Sequence, residues 1–532
     1  MKNALIAQIA PILGFTPSLE KPKNKALAHY AMPVFALAKE QKLAPNIIAT
    51  NLAKKLENSE LYSVSALGGY VNFKLSAKFL DEIAKSALKE DKNFASKNNS
   101  KKEKYYIEYI SANPTGPLHI GHVRGAVYGD SLARIARYLG HDVHTEYYIN
   151  DAGNQIDLLG ISVALRAKEL LFNENIEYPS KYYRGEYIDE IIIPKALEHF
   201  GKEIFYDENR VLELAQFGKD LVLEIIKNDL QDVNISIDEW ASEKALYPRL
   251  EPVMALLSKS SKMYEKDGAQ MIASSELGDD EDRVVVRKDG RPTYLAGDII
   301  YHEYKFHKNY DHYINIWGAD HHGYIARIKA GIHFLGYDEN KLEVILMQMV
   351  NLLKDGAAFK ISKRSGTAIL MSEISASIGA EALRYIFISK ANTSPLEFDI
   401  DALKKQDSSN PIFYVNYAHA RINQVFAKAN ISQNDVVFAD LSKLDQNAQD
   451  LAYEALCLNE ILNDALNSRA LHKITDYLKA LSASFHKFYN ENRVLGSDDE
   501  KALLKLFALV GLSIRVGLSL LGIKAKERMQ NY

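Results

Sequence analysis

At 532 residues the chain is too long for a single hydrophobic core, so several domains are expected. Its 47% hydrophobic and 25% charged residues give the composition of a soluble globular protein. A net charge of -4 and a pI near 6.5 exclude a surface that coats nucleic acid throughout, so any RNA contact has to be a local patch. Cys457, the sole cysteine, excludes an internal disulfide and a thiolate metal cluster, which suits a reducing, cytoplasmic setting.

Residues 4–15 are apolar, but Gln8 and Pro11 interrupt them and only Lys2 precedes them. An amphipathic first helix is expected there rather than a cleaved leader. Helical stretches then lead to a strand at 70–75, entered through Gly68-Gly69, which gives an α+β domain over 1–100. The polar, basic segment 97–102 reads as a linker.

Next come an aromatic and β-branched strand at 105–110, a Pro/Gly loop, a helix from about 121 to 139 closed by Gly140, and a strand at 143–149. Strand, donor-rich loop, helix, strand is the order in which a doubly wound parallel sheet presents a phosphate site. Residues 160–250 carry a charged helical pattern and are expected as an insertion within the sheet's connectivity. Its later strands are expected near 283–286, 313–317 and 344–346. This α/β domain is placed over 101–390.

Beyond it the pattern is helical. Leu471, Ile474, Leu478, Leu481, Phe485 and Phe488 recur at three and four residues, so 391–532 are expected to form an all-α bundle. The apolar run 503–523 contains Lys505 and Arg515, costly in lipid, and is expected as a buried helix with no role in a membrane.

Two tetrads stand out. His119-Ile120-Gly121-His122 is opened by Asn113-Pro114-Thr115-Gly116-Pro117 and answered about 240 residues later by Lys360-Ile361-Ser362-Lys363-Arg364. With a helix starting near Gly121, both imidazoles lie near the positive end of its dipole and can donate to phosphate oxygens. Gly121 lets a flat adenine or ribose approach the backbone. Lys360 and Lys363 flank Ser362, with Gly356 and Gly366 to either side, and supply ammonium groups for the other side of one polyphosphate. The pair points to adenylate-forming chemistry.

Both tetrads resemble the signature motifs of class I aminoacyl-tRNA synthetases. The resemblance implies a Rossmann catalytic domain, ATP entering as its magnesium complex with no tightly bound cofactor or resident metal, and transfer of an amino acid to tRNA. The reaction so implied is in-line displacement at the α-phosphate by an amino-acid carboxylate, releasing pyrophosphate. A carboxylate is ionised at neutral pH, so positioning and neutralisation of charge suffice without a strong base.

Other stretches narrow the resemblance to the arginyl-tRNA synthetase family. They are residues 108–117, Tyr148-Ile149-Asn150-Asp151-Ala152-Gly153-Asn154-Gln155, Thr293-Tyr294-Leu295-Ala296-Gly297-Asp298 and Gly318-Ala319-Asp320-His321-His322-Gly323. That family's pattern carries Asp298, Glu108 and Tyr294 onto a substrate guanidinium, and Ser111, Asn113 and His321 onto the backbone end of the amino acid. Gly121, Asp320, His322 and Ser362 fall to ATP, and His119, His122, Lys360 and Lys363 to catalysis. A guanidinium asks for carboxylates in a fork arrangement, which agrees with the two acids.

Toward the ends, Tyr70 and Asn72 resemble the residues that stack on and hydrogen-bond a D-loop base of tRNA. Tyr414, Tyr417, Arg421 and Met529 resemble an anticodon-binding face. The family further implies a monomer whose partners are arginine, ATP and the cognate tRNA, with tRNA needed for the activation step. Ile361 stands where Met is usual and Arg364 where Ser often appears; neither removes a lysine.

Several alternatives stay open on the sequence alone. The histidines could join Asp320-His321-His322 in a metal site, as in a zinc hydrolase. Tyr70 and the Tyr414 stripe could be packing residues. A non-catalytic tRNA-binding relative on the same fold is the alternative function, against which the presence of both tetrads counts. The cysteine-specific class I enzyme needs more metal-binding cysteines than one.

Overall fold

The structure is a computed structural model that describes residues 1–22, 27–97, 101–354, 357–358 and 369–529. The chain divides into two compact units, Met1–Lys101 with Gln406–Tyr532, and Lys102–Lys405.

In the first unit, β1 (Tyr30–Pro33), β2 (Tyr62–Leu67) and β3 (Tyr70–Leu75) form an antiparallel sheet in the order β1-β3-β2. The β2–β3 hairpin turns on Gly68 and Gly69, at φ 57 and 81. A Cβ on Gly69 would also lie 2.8 Å from the Phe35 ring. The C-terminal part is helical, from Pro411–Ala429 through Gln446–Leu456, Leu458–Ser468 and His472–Glu491 to Glu500–Leu520.

Ile474, Leu478, Leu481 and Phe485 are fully buried, as their spacing requires. Helix Glu500–Leu520 is long and apolar enough to cross a membrane by length and composition, yet most of it is buried within the bundle. Its Lys505, wholly buried, is held by Asp81 at 2.6 Å and the Ala439 carbonyl at 2.8 Å.

The second unit holds, in chain order, β4 (Lys104–Glu108), β5 (Asp142–Ile149), β6 (Glu239–Ser242), β7 (Met263–Lys266), β8 (Ala269–Ile272) and β9 (Arg283–Val286). These are followed by β10 (His312–Gly318), β11 (Leu342–Met347), β12 (Val350–Lys354), β13 (Ala357–Ala358) and β14 (Leu396–Asp399). A five-stranded sheet runs β11-β10-β4-β5-β6 with every pair parallel. The chain moves outward from β4 through β5 to β6 on one side, and later through β10 to β11 on the other. Between β4 and β10 the winding reverses, and a crevice opens there at the carboxyl ends of the strands. As central strand, β4 is buried from Tyr105 to Glu108, which is why its sequence reads as a continuous apolar and aromatic run.

Three expectations need correction. Residues 283–286 do form a strand, but β9 belongs to a separate antiparallel sheet, β7-β8-β9. Of its residues only Val285 is buried, so a Val run that resembles a sheet centre in fact covers one face. The parallel sheet is instead completed by β6, inside the stretch expected to be helical. Its four residues bury only Ala241 and are too short to show a period. The boundary expected near 390 falls within this unit, because β14 pairs in parallel with β12 and holds the chain to Lys405.

Candidate active site

Helix Ile120–Tyr138 starts at the crevice, and its first turn is built by the two histidines themselves. His119 is the N-cap: its Nδ1 accepts from the Gly121 N–H at 3.1 Å, while the His119 N–H donates to His122 Nδ1 at 3.2 Å. Each Nδ1 is therefore an acceptor, so in the neutral rings the proton sits on Nε2. Burial lowers the pKa of both, and burial followed by the neighbouring His119 takes His122 down to about 3. Two neutral imidazoles thus keep one N–H donor each for a ligand at a helix N-terminus. The space beside Gly121 is filled by the His119 ring, 3.0 Å from where a Cβ would be. The absent side chain thus makes room for the cap, and Gly121 still lines the crevice.

The segment after the lysine tetrad is tied to this turn. Met371 N–H donates to the Leu118 carbonyl and Ile120 N–H to the Ile369 carbonyl, both at 2.8 Å, around a His119–Leu370 bridge. Lys360, Ser362 and Lys363 lie outside the described residues.

The other end of the crevice is acidic. Thr293 caps helix Tyr294–His307, accepting from Ala296 N–H, and that helix carries Tyr294 and Asp298. Asp298 Oδ2 accepts from the Tyr324 hydroxyl at 2.7 Å, and among the described residues no cation pairs with it. Burial raises its pKa to about 6; the Tyr324 bond opposes this and Glu108 adds to it. Glu243 lies alongside, its Oε1 3.3 Å from where a Cβ on Gly297 would be. Burial, then Asp298, then Asp151 raise Glu243 to about 7. Among the described residues neither acid forms an ion pair, although the charge of Lys305 pulls Asp298 the other way.

Glu108 differs. Its Oε2 accepts from Lys305 at 2.7 Å and its Oε1 from the Ser111 hydroxyl at 2.9 Å, so its charge is already matched. Ile110 and Ser111 sit at φ 74 and 43, an uncommon conformation for a β-branched and a polar residue side by side.

A cleft of about 660 Å³ joins both ends. It is lined by Glu108, Ser111, Asn113, His119, Gly121, His122, Tyr294, Asp298, Asp320 and His321, residues expected from the sequence. His322 is exposed and does not line it. The sequence reading missed Tyr301, His302 and Tyr324, which line it, and Glu243 beside Asp298. Tyr301 and His302 follow Asp298 on its helix and helical spacing could have found them; Glu243 carries no local signal. The described groups that come within metal-ligating distance of one another are His144, Glu146 and Glu239, away from the histidine tetrad. The Lys308 ammonium stands 3.0 Å from Glu239.

In the first unit, Tyr414, Tyr417 and Arg421 share one face of helix Pro411–Ala429. Arg421 donates to the Tyr417 hydroxyl at 2.6 Å and lies over the Tyr417 and Tyr489 rings. His486, unforeseen, stacks with Tyr417. The C-terminal segment bearing Met529 is tied to this helix by Lys526 N–H on Asn416 Oδ1 at 3.0 Å. Tyr70 is half-buried against Phe35, and Asn72 is buried in the central strand of its sheet.

These features match known proteins along the whole chain. The family model described as tRNA synthetases class I (R), catalytic domain, matches residues 83–426. Those for the arginyl tRNA synthetase N terminal domain and the DALR anticodon binding domain match 1–75 and 415–529. The chain belongs to the arginyl-tRNA synthetase family. Arginine–tRNA ligases of Campylobacter curvus and Campylobacter fetus are 67% and 66% identical to it, over 99% and 100% of this chain and all of theirs. A crystal structure of a Campylobacter jejuni protein described as an arginyl-tRNA synthetase is 54% identical, with TM-score 0.83 over 86% of this chain and 100% of that one. Thermus thermophilus arginyl-tRNA synthetase, 22% identical, shares the fold at TM-score 0.78 over 99% and 100%.

Proposed function

We propose that this chain ligates L-arginine to its cognate tRNA at the expense of ATP, through an arginyl-adenylate. The observation that carries the reading is Asp298 in a cleft whose other end offers two Nε2–H donors, with Glu243 beside it and neither acid ion-paired among the described residues. The guanidinium is taken by Asp298 and Glu108 with Tyr294 beside them, and Glu243 adds negative charge next to Asp298. Ser111, Asn113 and His321 receive the amino and carboxylate groups.

ATP enters as its magnesium complex along the histidine end, past Gly121 and Asp320, with the exposed His322 at the rim. His119 and His122 donate to its phosphates, and Lys360, Ser362 and Lys363 act on the leaving group. The arginine carboxylate forms a bond to the α-phosphorus as the bond to pyrophosphate breaks. A ribose hydroxyl of the tRNA 3′ end then attacks the acyl carbon and AMP leaves. Tyr70 and Asn72 contact the D-loop; Tyr414, Tyr417, Arg421 and Met529 contact the anticodon. The lone, buried cysteine suits work in the reducing cytoplasm, and the chain is taken to act as a monomer.

The test is aminoacylation of tRNA with each of the twenty amino acids in the presence of ATP and magnesium. Charging with arginine alone is expected. Charging with another amino acid instead, or none with intact tRNA, overturns the reading.

A further inference from the structure

Beneath the acidic end of the cleft lies a cation that the proposed reaction does not itself require. Lys305, on helix Tyr294–His307, is wholly buried, and its ammonium donates to Glu108 Oε2 and to Asn315 Oδ1, each at 2.7 Å. An ammonium has no acceptor, so it must face the amide oxygen of Asn315, leaving the amide NH2 to point elsewhere. That NH2 meets His302 Nε2 at 2.8 Å. Nε2 therefore accepts, the ring proton belongs on Nδ1, and Nδ1 donates to the Asp298 carbonyl at 2.7 Å. Burial, followed by the charge of Lys305, holds His302 well below the ordinary imidazole range, as a neutral ring in this chain requires. Every link runs one way, from the ammonium to the backbone of Asp298.

A second branch leaves from Glu108. Its Oε1 accepts from the Ser111 hydroxyl, and Ser111 Oγ accepts from the Tyr148 N–H at 3.1 Å. These two bonds hold a turn whose residues, Ile110 and Ser111, sit at positive φ and cannot be expected to stay there unaided.

We propose that Lys305 is a positioning residue for substrate recognition. One buried ammonium holds the Ser111 turn through Glu108 and the Asp298 backbone through Asn315 and His302. The proposal rests on the reading that this cleft takes arginine, with Glu108 held in place by the ammonium while it faces the cleft. Two acids presented to one planar fork suit a guanidinium better than a point charge.

The experiment is steady-state aminoacylation by Lys305→Met, Asn315→Ala and Asp298→Asn, with KM measured separately for arginine and ATP. For Lys305→Met the arginine KM is expected to rise about 30-fold or more, with the ATP KM within about twofold. Asp298 faces Tyr324, Glu108, Glu243 and Lys305. Losing the cation among them moves the acid limb of kcat/KM for arginine to higher pH, a change that a general loss of packing does not produce.

Because an unmatched Glu108 can prevent folding, Asn315→Ala provides the second arm. It keeps the ion pair, cuts only the branch to His302, and is expected to raise the arginine KM about fivefold with the ATP KM unmoved. Equal changes in both KM values, no change, or a stationary acid limb in Lys305→Met overturns the positioning role; if that variant is insoluble, the Asn315→Ala KM split decides. If Asp298→Asn leaves the arginine KM unmoved, the pocket reading itself fails. If it raises that KM and the Lys305 and Asn315 variants do not, only the role of Lys305 fails.

Discussion

At the histidine end of the cleft, two titratable side chains are held neutral by burial and oriented by backbone N–H groups within one helical turn. At the acidic end, two titratable side chains are half-buried, but among the described residues nothing in their own turn orients or neutralises them, and their pKa values move toward neutrality. The first end is complete before a ligand arrives. Its donors need only a polyphosphate, and pH changes near neutrality do not alter their charge. The acidic end is incomplete, since two raised acids side by side favour whatever cation binds them and compete with protons for it. Preorganisation is thus local where an anion binds and distributed over distant strands and helices where a cation binds.

The largest break in this comparison is expected at the histidines. His122→Ala removes a phosphate donor and half of the helix cap, so kcat for charging should fall about 100- to 1,000-fold. The arginine KM should change by no more than about threefold in the same aminoacylation assay. A comparable rise in the arginine KM would mean that the two ends are not separable.

A smaller effect is expected at the other end. Glu243→Gln keeps shape but removes one acid, and should raise the arginine KM about tenfold with kcat little altered. It should also sharpen the difference in pH response. With its like-charged neighbour gone, Asp298 ionises more readily, so the acid limb of kcat/KM for arginine moves to lower pH. An acid limb that stays in place would separate Glu243 from the pocket.

The contrast also explains what the sequence made legible. His119, Gly121 and His122 lie within four residues, so their spacing predicted the helix start and the two imidazoles at it. The acidic end is spread over β4, the turn after β6 and the helix before β10. Its members are adjacent only because the sheet winds both ways from β4. Glu108 and Asp298 were reached by family resemblance, whereas Glu243 and the Lys305 chain, defined by packing, were not reached at all. The same distinction holds for the fold. The long helix Ile120–Tyr138 and the central β4 declared themselves through length and apolar runs. By contrast β6, four residues with one buried, gave no period, and the Val run of β9 imitated a central strand while pairing elsewhere. Strands β5, β10 and β11 were legible from their own sequence, whereas β6, β9 and β14 needed their pairing partners before they could be assigned.

The central claim, that the acidic end holds protons until a cation displaces them, can be tested by calorimetric titration of arginine into the protein at pH 6.5. The titration is repeated in buffers of differing ionisation enthalpy. With Asp298 near 6 and Glu243 near 7, the free site carries about one proton at that pH, and a bound guanidinium should expel it. Release of about one proton per arginine at pH 6.5, falling toward zero by pH 8.5, is the predicted result. Binding at pH 6.5 with no proton released would contradict it, since both acids would then be ionised before arginine arrives.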